Sequence, residues 1–121
     1  MLLTASLLLA AVFAAPPQAV EFNGSFETPE ARPEGWDKKT YGGGGAFTYD
    51  QQGRNGSRCV GIASATGGDL SWFARVPVKA YSRYRLSAYI KTENVEPAGG
   101  KGALINLHDG PEGASNAMTG T

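Results

Sequence analysis

The chain has 121 residues, with 11 Lys and Arg against 11 Asp and Glu, a formal net charge of +0 and one histidine. That balance excludes the electrostatic footprint of a nucleic-acid or anionic-membrane binder. Its single cysteine, Cys59, excludes an internal disulfide, so a small domain must be held by its core, with or without help from a metal.

Residues 2–15 are apolar except for Thr4 and Ser6, and Ala14 and Ala15 lead into Pro16-Pro17. This reads as a secretory signal peptide over residues 1–15, cut near Ala14 or Ala15 or, as a further option, after Ala19. No Lys or Arg precedes the apolar run, so only the amino terminus supplies positive charge. The competing reading is an uncleaved anchor, which needs about 20 apolar residues, more than this run holds. Export predicts a secreted protein, extracellular or periplasmic, off the membrane once the signal is removed. Residues 20–121 then form one small domain.

Behind the signal no amphipathic helix is predicted. Strand-like runs occupy 20–22, 36–41, 46–50, 58–63, 70–78, 84–92 and 102–108. Runs 36–41 and 46–50 flank four glycines, Gly42 to Gly45, as a hairpin or an irregular loop. In 84–92, Tyr84, Leu86, Ala88 and Ile90 alternate with Arg85, Ser87, Tyr89 and Lys91, which predicts one buried and one open face. In 102–108, Ala103, Ile105 and Leu107 oppose Leu104, Asn106 and His108. Short strands at intervals of about ten residues, joined by Gly-rich turns, predict an all-β antiparallel sandwich or jelly roll. The last residues, 116–121, offer no closing strand, so the sandwich is expected to be incomplete at its C-terminus and to belong to a longer protein.

Four stretches share a resemblance. Asn23-Gly24-Ser25-Phe26-Glu27 resembles the opening motif of CenC-type carbohydrate-binding modules, which have a galactose-binding-like jelly roll. Gly35-Trp36 resembles their second element, Gly53 to Val60 their Gly-rich segment, and Tyr84 to Thr92 their Tyr-Leu-Ser-Ala strand. The family's later Trp-containing strand and closing strand have no counterpart here. The resemblance implies a non-catalytic module that binds polysaccharide or oligosaccharide, joined to a further C-terminal domain in a polysaccharide-acting or cell-surface protein. It also implies a structural calcium ion on Glu27 with backbone carbonyls of residues 53–57. Calcium takes six to eight oxygens, so one carboxylate makes a weak or empty site. The alternative is a solvated turn carboxylate.

Sugars are held by aromatic rings over their C–H faces and by polar side chains on their hydroxyls. The open faces of the predicted strands nominate Phe73, Arg75, Arg85, Tyr89 and Asn106. Tyr89 with Arg85 forms a stacking and hydrogen-bonding pair in this reading, and Trp72 faces the core. The bland readings are kept beside these. Trp36 is a core plug under the sheet, Tyr89 a half-exposed strand tyrosine, Cys59 a small buried hydrophobe and His108 a strand-end polar residue.

No catalytic residue is predicted. Asp37, Asp50, Asp69, Glu93 and Asp109 lie at strand ends or turns, with no motif opposing two of them, and there is no Gly-x-Ser-x-Gly elbow, Walker loop or Cys/His cluster. An adhesion sandwich without a sugar site, or the accessory domain of an enzyme such as a glycoside hydrolase whose catalytic part lies elsewhere, are the alternatives.

Overall fold

A computed structural model describes residues 20, 22–28, 31–97, 99–109, 113–114 and 117–120. The expected signal peptide lies outside the described residues. Among them the regular structure is strand, apart from one three-residue 3-10 turn at Arg54–Gly56. No helix among them is long and apolar enough to cross a membrane. The described part of the chain is all-β and antiparallel.

Six strands follow in order: β1 Trp36–Gly43, β2 Ala46–Asp50, β3 Cys59–Ala63, β4 Gly68–Ala74, β5 Asn106–Leu107 and β6 Gly113–Ala114. They form three antiparallel pairs: β1 with β4, β2 with β3, and β5 with β6. The first two are nested, with the β2–β3 hairpin inside the β1–β4 pair. Trp36 faces Ala74, Lys38 faces Trp72 and Thr40 faces Leu70. Phe47 faces Ile62 and Tyr49 faces Val60.

The glycine run is therefore a crossover between two ladders, not a hairpin turn. The register slips between Thr40 and Gly42, bulging β1 at Tyr41. A bulge bends its strand and adds twist. Gly43 then adopts φ 68°, and a Cβ there would collide with the Gly67 carbonyl oxygen and lie 2.7 Å from Gly68 Cα. Only glycine allows both the left-handed backbone and that approach. The Ser64 hydroxyl donates to the Gly44 carbonyl and ties the end of β3 to the crossover.

Between the ladders, the Phe47 and Trp72 rings meet edge to face at 5.6 Å. The Trp72 indole N–H donates to the Gly61 carbonyl at 3.0 Å, joining β4 to β3. Trp72 thus faces inward, as its alternation predicts. It is only half-buried, and among the described residues Pro33 is the one side chain that is fully buried.

Four predicted strands differ from the structure. Val20 and Phe22 lie outside any strand, and the run expected over 70–78 leaves its ladder after Ala74. The largest correction is 84–92, which has no strand pairing; Leu86 is 48% exposed and Ile90 half-buried. Alternation specifies faces but not a neighbour, and a strand exists only where another edge takes its backbone hydrogen bonds. What fixes this segment is the turn before it: the Tyr84 hydroxyl accepts the Lys79 N–H at 2.7 Å. The 102–108 run contracts to β5 and a bridge at Ala103. The C-terminal residues do pair back, with Met118 bridging Ala103 and Gly120 bridging Val95.

Candidate functional site

The opening motif is a hydrogen-bonded clasp. The Asn23 side-chain amide donates to the Thr28 and Glu34 carbonyls, each at 3.1 Å, and its oxygen accepts the Thr28 N–H at 3.0 Å. The Asn23 carbonyl accepts the Trp36 indole N–H at 2.7 Å. Phe26, held at φ 62°, turns its carbonyl toward the Tyr49 hydroxyl, which donates at 2.6 Å. The Phe26 and Phe22 rings lie 4.8 and 6.2 Å from the Trp36 ring. Trp36 is thus a half-buried plug, as its bland reading held. Each letter of the motif has a mechanical reason: a polar side chain that satisfies backbone groups, a turn, a ring and an acceptor.

The acceptor is Glu27, whose Oε1 takes the Arg58 N–H at 2.7 Å. The structure therefore brings Glu27 to the end of the 53–58 loop, through the Arg58 N–H and not through the carbonyls of residues 53–57. In that loop, the Gly53 carbonyl accepts Gly56 N–H, Arg54 accepts Ser57, and Ser57 accepts Gly53. Among the described residues no three His, Cys, Asp or Glu gather as metal ligands. One carboxylate beside carbonyls that already hold the turn falls short of a six- to eight-oxygen calcium shell.

The predicted sugar contacts divide into separate places. Phe73 lies on the outer face of β4, half-buried, with the Arg75 guanidinium 5.9 Å from its ring centre. Tyr89 is 79% exposed, and the guanidinium over its ring, at 4.0 Å, is that of Arg54. Arg85, expected there, sits exposed four residues earlier in the same unpaired segment. Asn106 is exposed on β5, opposite Ala114. Arg54 escaped the sequence reading because its partner lies 35 residues away; Asn55 at φ 55° shapes the turn that presents it.

A half-open cleft of about 390 Å³ lies between the two ladders, lined by Ala31, Arg32, Lys38, Phe47, Tyr49 and Trp72. Arg32 pairs with Asp37 at 2.6 Å, and the Lys38 ammonium lies 5.6 Å from the Phe47 ring centre. Above Tyr49 sits the Arg58 guanidinium, at 5.2 Å. Period-two patterning puts Lys38, Phe47, Tyr49 and Trp72 on inner faces, but only the nested pairing makes those faces meet.

Cys59 is half-buried, and its thiol donates to Asp50 Oδ1 at 3.3 Å. Burial first, then the hydrogen bond to Asp50 and its charge, push the thiol above its ordinary value; a backbone hydrogen bond from Gln52 opposes them. Cys59 is therefore more than a small apolar filler, and the raised value suits an inert thiol rather than a nucleophile. His108 is exposed just beyond β5, as a strand-end residue. No protein-family model, curated protein or solved structure matches this chain.

Proposed function

We propose that residues 20–121 are a secreted, non-catalytic carbohydrate-binding module built on a galactose-binding-like jelly roll. Nested antiparallel pairing, first strand with fourth and second with third, supports that roll, because a long two-stranded ribbon folded over produces it. The observation that carries the function is Tyr89: an accessible ring backed by a guanidinium. Leaving an aromatic face in water forfeits hydrophobic stabilisation, and a pyranose C–H face restores it. The five N–H donors of Arg54 supply the polar contacts that sugar hydroxyls need, and Arg85 and Asn106 remain further candidates on exposed positions elsewhere. Phe73 with Arg75 is a second aromatic and guanidinium pair of the same chemistry. In a longer protein the module would concentrate an attached domain at its polymer. Calcium on Glu27 belongs to the same reading, as a weak structural ligand.

The test is affinity electrophoresis against soluble glucans, xylans and mannans. Retardation by at least one polymer is expected, with loss of at least about 1 kcal/mol of binding on Tyr89→Ala. Retardation by none of them argues against the reading.

One observation favours a second reading, a protein-adhesion sandwich: Val78, Tyr81 and Leu86 are 59%, 110% and 48% exposed within nine residues of chain. Clustered exposed apolar groups mark protein interfaces. Concentration-dependent association abolished by Leu86→Ser would favour it; a monomer at all concentrations would not.

A further inference from the structure

We infer that the inter-ladder cleft takes a carboxylate-bearing pyranose, a uronic acid residue of an acidic polysaccharide; this rests on the carbohydrate reading and goes beyond it in ligand class and in place. The polar groups of two of the cleft's aromatic rings are already engaged. The Trp72 N–H is committed to Gly61 and the Tyr49 hydroxyl to Phe26. Their rings, with Phe47, are therefore apolar walls, suited to sugar C–H faces.

The side-chain donors left on the cleft lining belong to cations. Lys38 has three N–H groups and no carboxylate partner among the described residues. Arg32 gives one nitrogen to Asp37 and keeps further donors on its guanidinium fork. Arg58 adds a third positive charge above Tyr49. Among the described residues no carboxylate lines the cleft, and the carboxylate of Asp37 is held by Arg32. A neutral hexose would leave the Lys38 ammonium to water, whereas a carboxylate completes it with a charge-assisted hydrogen bond. Its volume lies in the range of small-ligand sites, about 300–1,000 Å³. The net charge of +0 argues against general polyanion binding.

The experiment compares retardation of the full chain by polygalacturonate and by its fully methyl-esterified form, which keeps the sugar and removes the charge. Neutral glucan, xylan and mannan and poly-glutamate run beside them. Binding to polygalacturonate is expected, about tenfold weaker to the ester, about five- to tenfold weaker for Lys38→Gln and retained by Lys38→Arg. Lys38 is exposed, so its substitution leaves folding intact. Equal retardation by acid and ester, or by neutral polymers alone, overturns this inference and leaves the carbohydrate reading standing. Equal retardation by poly-glutamate, insensitive to Lys38→Gln, overturns it as general charge attraction. Retardation by no polysaccharide overturns both.

Discussion

The Glu27 carboxylate accepts the backbone N–H of Arg58 at 2.7 Å across 31 residues of chain. It fastens the segment ahead of β1 to the entry of β3, where the 53–58 turn ends. A hydrogen bond to an ionised acceptor is stronger than a neutral one, and this one closes a long loop.

Glu27→Ala is expected to cost about 1 kcal/mol, the scale of one exposed hydrogen bond, and Glu27→Gln, which keeps an acceptor, clearly less. Urea unfolding reads both as midpoint shifts at constant slope. Calcium, if it binds through this carboxylate, is expected to raise Tm only in the range of about 10⁻⁴–10⁻³ M, and not in Glu27→Gln. Stabilisation at micromolar calcium would show that the metal, and not the Arg58 N–H, is the principal partner.

Gly43→Ala is expected to be among the most damaging small substitutions in the chain. A left-handed backbone costs an L-residue about 1–2 kcal/mol, and the new methyl would meet main-chain atoms of Gly67 and Gly68, which have no rotamer with which to retreat. Gly44→Ala is the control, because nothing lies within 4 Å of its added Cβ. Its expected effect is within about 1 kcal/mol of neutral. Equal urea midpoints for the two variants would contradict the crossover geometry.

Cys59 should be alkylated more slowly than a free thiol at neutral pH and reach full reactivity only at higher pH, because burial and Asp50 both disfavour its thiolate. Asp50→Asn is expected to lower that midpoint. The sign for stability follows: with the folded thiol raised, the native state holds its proton more tightly than the unfolded state. Its contribution is whole below the ordinary thiol value of about 8.5 and is lost as pH rises through the folded value. A reactivity midpoint at or below that of free cysteine would rule out the Cys59–Asp50 contact.

The strands that were legible in the sequence are those whose pattern and punctuation agree. The β2 strand spans the expected 46–50, β3 begins one residue later than expected, and β1 begins at the expected Trp36. Alternation also assigned Trp72 and Phe73 to opposite faces, since side-chain direction in a strand is a local property. The residues of the opening segment were legible as a candidate motif. Its role as a clasp was not, because Asn23, Phe26 and Glu27 act on residues 5 to 31 positions away.

Pairing is where local reading stops. Nothing in Gly42 to Gly45 says whether the next strand doubles back on β1 or crosses to a different ladder; the bulge at Tyr41 and the contact of Gly43 with Gly67 and Gly68 decide that. The same crossover brings Lys38 over Phe47 beside Trp72, and the 53–58 turn sets Arg54 on Tyr89. In 84–92 the periodicity is intact but no edge is there to receive it. Composition and face were local matters of residue type and period two. Which edges meet, and so which rings and charges share a cleft, depends on contacts between distant residues, which only the folded chain supplies.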